Sequence, residues 1–155
     1  MNKPSYLTKE GYEKMRQELT YLEGPARDDL SKRLRIAIQQ GDLSENADYI
    51  AAKEEQGFLE GRIVELKAIL GNHVIIEENG PKKETVDVGS KVTIQEDDYP
   101  EETYFLVGPQ EANPSKGRIS HISPIGQALL DHKAGDVVEA ITPGGTVRLK
   151  IIKVE

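Results

Sequence analysis

The chain contains no cysteine and no tryptophan, and only two phenylalanines in 155 residues. Without thiols there are no disulfides and no thiolate metal sites, which agrees with a reducing compartment. No apolar run approaches the roughly 18 residues a membrane helix needs. Met1-Asn2-Lys3-Pro4 leads into no apolar stretch, so no signal peptide is expected. The expected location is cytoplasmic. No glycine-rich phosphate loop is present, and no internal repeat. The three histidines, His73, His121 and His132, are scattered without metal-ligand spacing. The serines near Pro124 lack a matching His/Asp pattern, so no catalytic triad is expected. Apolar residues are 37% and charged residues 30%, which suits a long solvated helix better than a sphere. Net charge is −7, against duplex wrapping by the whole molecule. It divides unevenly, −2 over residues 1–76 and −5 over 77–155.

The first half has helical periodicity. From Tyr12, apolar residues recur at Met15, Leu19, Leu22, Ala26, Leu30, Leu34 and Ala37, a narrow stripe close to a coiled-coil seam. One helix is expected over 8–40, with Thr8 as its N-cap. Its extra steps of four resemble a stutter. Gly24-Pro25 should kink it, since proline removes a hydrogen bond and clashes one turn back; a full break is the rival reading. A second helix is expected over 44–71, with Ser44 as a candidate N-cap and Gly71-Asn72 as its stop. Ala47, Ala51, Phe58, Leu59, Ile63, Leu66 and Leu70 form its expected inner face. The short connection forces the two helices antiparallel. Arms of roughly 30 residues would be about 45 Å long.

From His73 the period changes to that of strands, expected at 73–76, 91–94, 103–107, 118–122, 136–141 and 147–152. A short helix is expected over Pro124–His132, opened by a Ser123-Pro124 cap. Residues 77–87 read as a loop or strand margin. The fold class is therefore α+β. An N-terminal antiparallel coiled-coil domain spans 1–76, and an antiparallel β-sheet domain with one short helix spans 77–155.

Between the helices lies Gly41-Asp42-Leu43-Ser44-Glu45-Asn46-Ala47-Asp48-Tyr49, a glycine and three carboxylates where the chain reverses. Asp42 and Glu45 are three apart and would share a face if the second helix has begun. Two carboxylates suit Mg²⁺ but are too few for a tight site, so they fit a metal held partly by another molecule. The alternative is the ordinary preference of acids for a helix N-terminus. Lys32, Arg33, Arg35, Arg27 and Lys53 flank this tip. They could face a nucleic-acid backbone or pair with Asp28, Asp29, Glu54 and Glu55 on a solvated face.

The tip sequence, with Ala51-Ala52-Lys53-Glu54-Glu55-Gln56-Gly57-Phe58 and Glu60-Gly61-Arg62-Ile63, closely resembles the Gre family of bacterial transcript-cleavage factors. Leu7-Thr8-Lys9-Glu10-Gly11, Ile119-Ser120 with Ser123-Pro124-Ile125-Gly126, and Thr142-Pro143-Gly144-Gly145 extend the resemblance over essentially the whole chain. It implies an FKBP-like second domain that docks on the rim of the RNA polymerase secondary channel, with the coiled coil projecting inward. In a backtracked complex the RNA 3′ end is extruded into that channel. The resemblance implies that Asp42 and Glu45 help hold a second, weakly bound Mg²⁺ of the polymerase, for two-metal hydrolysis of the RNA. It assigns tip positioning to Ser44, Asn46, Asp48 and Tyr49. RNA contact falls to Arg33, Arg35 and Lys53, and docking to Ile119, Ser120, Ser123, Pro124 and Ile125. Gre factors often carry a basic residue where Ile38 stands, which weakens a basic grip on RNA from this helix. The protein itself would be a monomer without its own cofactor, not an enzyme, and would meet DNA only indirectly. The alternatives are a Gre-like channel inhibitor that does not promote cleavage, a prolyl isomerase and a free-standing DNA-binding protein. Against the isomerase, the second half offers only Tyr99, Tyr104 and Phe105 for an apolar pocket, and fold does not give function.

Overall fold

A computed structural model describes residues 3–77 and 83–155. Residues 78–82, within the expected loop at 77–87, lie outside the described residues. The chain forms two compact units: Tyr12–Asn72, and Met1–Gly11 together with His73–Glu155.

The helical unit is a hairpin. Helix α1 spans Lys9–Tyr21 and α2 spans Arg27–Gln39, joined by a π-helical turn at Leu22–Ala26 that contains Pro25. The rival reading, a full break at Gly24-Pro25, does not occur. The wider π turn gives proline a place in a continuous helix, since its missing N–H and its ring both disturb ordinary α pairing. The sequence stripe faces inward as expected: Leu30 and Ala37 are buried, and Met15, Leu19, Leu22 and Leu34 are half-buried. Thr8 is the expected cap, its Oγ1 accepting from the Gly11 N–H at 3.0 Å.

The returning helix, α3, spans Ala47–Gly71 and starts later than expected. Its cap is Asn46, not Ser44, and Asn72 ends it. At 25 residues it is about 38 Å long. Its inner face follows expectation at Ile63 and Leu66, buried, and at Leu59 and Leu70, half-buried, and departs from it nearer the tip. Ala52, Ile63, Leu66 and Ile69 are buried, whereas Ala47 and Ala51 are exposed and Phe58 is 72% exposed. The later start explains part of this, because Ala47 sits in the first turn, before the helices close together. Each fully buried leucine or isoleucine stabilises by about 1.5–3 kcal/mol, so this seam outweighs the surface ion pairs. Those pairs still report the register: Arg33–Glu55, Arg27–Glu60 and Lys67–Glu23 are successive antiparallel rungs.

The second unit is built on strands β1 Ser5–Thr8, β2 His73–Ile76, β3 Lys91–Glu96, β4 Glu102–Val107, β5 Arg118–Ser120, β6 Val137–Thr142 and β7 Gly145–Val154. Five form a sheet in the order β5-β4-β3-β7-β6, and β1 and β2 form a separate pair. The expected all-antiparallel sheet is corrected: β4 runs parallel to β5, and β1 parallel to β2. Parallel pairing needs a crossover, and β1 reaches β2 only through the whole hairpin. Strand β1 is too short for period 2 to register. The expected strand over 118–122 stops at Ser120, and helix α4, Pro124–Leu129, ends three residues early. Alternate residues of β3, β6 and β7 (Val92, Ile94, Val138, Ala140, Leu149, Ile151) meet Leu129 of α4 in one core.

Candidate functional site

The hairpin tip is a non-helical turn between Gln40 and Asn46. Gly41 has φ of 114°, a region open to glycine and strained for other residues, which lets α2 end abruptly. Asp42 then closes a local turn. Its Oδ1 accepts from the Ser44 N–H at 3.0 Å and from the Ser44 hydroxyl at 2.8 Å. The hydroxyl bond first, then the backbone bond, holds the Asp42 carboxyl below its ordinary range. Its other oxygen, Oδ2, has no protein partner among the described residues, and neither has the Glu45 carboxylate. Both residues are exposed. The expected shared helical face for them does not form, because α3 begins only at Ala47.

Asn46 is half-buried and ties the turn together. Its Oδ1 accepts from the Tyr49 N–H at 3.1 Å, capping α3, while its Nδ2 donates to the Ala37 carbonyl of α2 at 2.7 Å. One side chain thus satisfies an orphan donor of one helix and an acceptor near the end of the other. Tyr49 is held through its backbone. Asp48 lies exposed in the first turn of α3, where it favours the helix dipole. It also lines a shallow groove of about 200 Å³ with Arg33, Ile36, Ala37, Gln40 and Ala51.

The basic residues separate by partner. Arg33 is bound to Glu55 at 2.6 Å, which holds the Glu55 carboxyl below its ordinary range. Arg27 is bound to Glu60, and Lys53 donates to Gln56 Oε1 at 3.0 Å. Arg35 alone of the three RNA candidates has no partner among the described residues. No group of three or more His, Cys, Asp or Glu side chains suited to a metal occurs among the described residues.

In the sheet unit the docking candidates divide into core and surface. Ile119 and Ser120 are buried beneath the loop. The Ser120 carbonyl accepts from the Ser123 hydroxyl at 2.6 Å, and Ser123 Oγ in turn caps α4 at the Gly126 N–H. Pro124 is exposed and Ile125 half-buried. The most exposed apolar side chain of this loop is Ile122, which strand-like periodicity had placed inside the sheet. Sequence reasoning also missed Glu111. Its carboxylate, 11% exposed, accepts from the Thr8 N–H and hydroxyl and faces Arg118 at 3.7 Å. No local pattern marks it, since Thr8 is 103 residues away.

Comparison with known proteins agrees over the whole chain. Residues 5–75 match the family described as "Transcription elongation factor, N-terminal", and residues 81–155 match "Transcription elongation factor, GreA/GreB, C-term". The transcription elongation factor GreA of Thermoanaerobacter pseudethanolicus is 44% identical, covering 99% of both chains. That of Geobacillus kaustophilus is 47% identical over 96% of this chain and 95% of its own. Among solved structures, GreA factor homolog 1 (Gfh1) of Thermus thermophilus is 31% identical, covers 99% of both chains and has a TM-score of 0.46. Among the described residues no helix is long and apolar enough to cross a membrane. The chain belongs to the GreA/GreB family of transcription elongation factors.

Proposed function

We propose that this chain enters the secondary channel of RNA polymerase and stimulates the polymerase's own cleavage of backtracked RNA. Family membership makes it a transcription elongation factor, not an enzyme in its own right. The observation that carries the finer reading is the tip: two exposed carboxylates with free oxygens, on a turn tied to both helices by Asn46.

The donor set fits a shared Mg²⁺. Mg²⁺ takes oxygen ligands and commonly binds through one or two carboxylates beside waters and substrate phosphates. Asp42 Oδ2 and the Glu45 carboxylate would hold it, with the remaining ligands coming from polymerase and RNA. When bound, the ion supplies Lewis acidity and a deprotonated water for phosphodiester hydrolysis. The chain's own work is to deliver and orient charge. Ser44 favours the carboxylate form of Asp42 and fixes its orientation, and Asn46 ties the turn to both helices. Arg35, without a partner among the described residues, is available to an RNA phosphate, while Glu55 neutralises Arg33. In the sheet unit, Ser123 holds the loop that presents Pro124, Ile125 and Ile122 to the polymerase rim.

The test uses stalled, backtracked polymerase carrying 3′-labelled RNA in Mg²⁺. Release of short 3′ fragments on adding the protein, followed by resumed elongation, is the expected result. Slowed elongation without fragments would instead identify a channel-blocking inhibitor.

A further inference from the structure

The groove of about 200 Å³ between α2 and α3 lies just behind the tip, and the cleavage reading gives it no task. Arg33, Ile36, Ala37 and Gln40 line it from one face of α2, and Asp48 and Ala51 line it from α3. Its floor is alanine. Ala37 is 2% exposed, and Ala51, which helical periodicity places in the inner face, stands open. Two methyl groups, where longer side chains would meet, leave the space. Ile36, 57% exposed, supplies an apolar wall. Arg33, occupied by Glu55, closes the end away from the tip.

The polar rim is selective. Among the described residues no hydrogen bond or ion pair holds the side chain of Gln40 or Asp48. The Asp48 carboxylate only accepts, whereas the Gln40 amide both donates and accepts. An occupant must bring flat apolar faces for Ile36 and Ala51, paired donors for Asp48 and an acceptor for Gln40. At about 200 Å³ the groove is smaller than the roughly 300 Å³ at which pockets for drug-sized ligands begin, so it takes one ring system rather than a whole nucleotide. Of the RNA bases, only guanine sets two donors side by side, N1–H and the N2 amino group, next to the O6 acceptor. Adenine and cytosine place a ring acceptor beside their amino group, and uracil has a lone N3–H between two carbonyls. Unstacked RNA bases are read in this way, packed on side chains and hydrogen-bonded along the Watson–Crick edge. An arginine from a protein partner has the paired donors but no acceptor for Gln40.

We propose that this groove binds a guanine base of the extruded RNA 3′ segment, with the Asp48 carboxylate accepting from N1–H and the N2 amino group and the Gln40 amide donating to O6. This rests on the cleavage reading above and adds a base preference to it. The groove lies behind Asp42 and Glu45 along the hairpin, so the base it holds belongs to the fragment that is released. The protein then favours arrested complexes whose displaced RNA carries guanosine at one position.

The test uses backtracked polymerase carrying RNAs that differ only in the base at each position of the 3′ segment, with polymerase alone as the background for each. Guanosine at one position is expected to lower the concentration of wild-type protein for half-maximal cleavage about five- to tenfold against adenosine, cytidine or uridine. Inosine, which lacks only the N2 amino group, should lose much of that advantage. Ala51→Leu fills the groove, and Asp48→Asn replaces the paired acceptor by an amide. Both variants should bring the ratio between bases to within about twofold, with circular dichroism verifying the fold. Equal half-maximal concentrations for all bases at every position overturn the proposal and leave the cleavage reading standing. A guanosine advantage that both variants keep belongs to polymerase, and also overturns it. If no RNA is cleaved, the cleavage reading fails and nitrogen-15 NMR of the full chain tests the groove directly. GMP should then shift the Gln40 side-chain amide and the Ala51 backbone amide more than AMP, CMP or UMP does, and no such difference overturns the proposal. Saturation by micromolar GMP would give the groove to a free nucleotide and overturn its assignment to RNA.

Discussion

The Asn46 side-chain amide joins the two arms of the hairpin, donating to the Ala37 carbonyl of α2 at 2.7 Å while it caps α3 at Tyr49. The Asp42–Glu45 turn hangs between these two attachments. Asn46→Ala should remove both, lowering stability by about 1 kcal/mol for the lost cap. Cleavage stimulation at saturating protein should fall about tenfold or more, the scale of losing support behind a metal ligand. Asn46→Asp separates the two roles. It keeps the acceptor for Tyr49 but sets a carboxylate against the Ala37 carbonyl, so α3 stays capped while cleavage still drops. Circular dichroism and saturating cleavage rates, measured on both variants, check this.

Ser44 ties Asp42 to pH. Its hydroxyl and N–H favour the ionised carboxylate, so the Asp42 pKa lies below its ordinary 3.8. A depressed carboxyl contributes fully above its unfolded pKa, and the contribution is lost as pH falls through the folded value. Ser44→Ala removes the larger of the two donors and should move the Asp42 titration upward, toward 3.8. Carbon-13 NMR of the Asp42 carboxyl should show this rise, and an unmoved Asp42 titration would contradict it.

Arg33 and Arg35 look equivalent in sequence and differ in the structure. Glu55 neutralises Arg33 at 2.6 Å, while Arg35 has no partner among the described residues. If RNA phosphate is the target, Arg35→Ala should raise the concentration for half-maximal cleavage about three- to tenfold, with a weaker salt dependence. Arg33→Ala should change it little, and Glu55→Gln, which frees Arg33, should partly restore the Arg35→Ala variant. Titrations at two salt concentrations decide it.

How much of this was legible depends on whether the cause was local. The 3-4 stripe from Tyr12 to Ala37 predicted the first arm, because burial on one face imposes its own period. The Ser123-Pro124 cap was equally readable, since donor and acceptor lie three residues apart. The start of α3 was misplaced because Ser44, Asn46 and Asp48 are all good caps by type. Only the three-dimensional competition, with Asp42 taking Ser44, leaves Asn46 for Tyr49. Phe58 was misassigned because hydrophobicity alone does not set a helix's rotation when its partner is unknown. The parallel β1–β2 pair and the Glu111–Thr8 contact join residues far apart in sequence, and no local window contains them.

Glu111 yields a prediction for stability rather than cleavage. Its carboxylate fills the space over Gly11 where a Cβ would overlap it. Gly11→Ala should destabilise by about 1–3 kcal/mol. Glu111→Ala should also destabilise, by a similar amount, since the buried Thr8 N–H loses its acceptor. In the double variant the overlap is gone and alanine is the better helix former, so the Gly11 change should cost little or even stabilise. A denaturation-based double-mutant cycle reads the non-additivity directly.

The most direct test of the account compares wild type with the Asp42→Ala/Glu45→Ala double variant on backtracked polymerase, both at concentrations that saturate binding. Fragment release by the double variant should fall to that of polymerase alone, while its affinity for polymerase stays within about twofold of wild type. Undiminished cleavage by the bound double variant would contradict the assignment of the tip carboxylates.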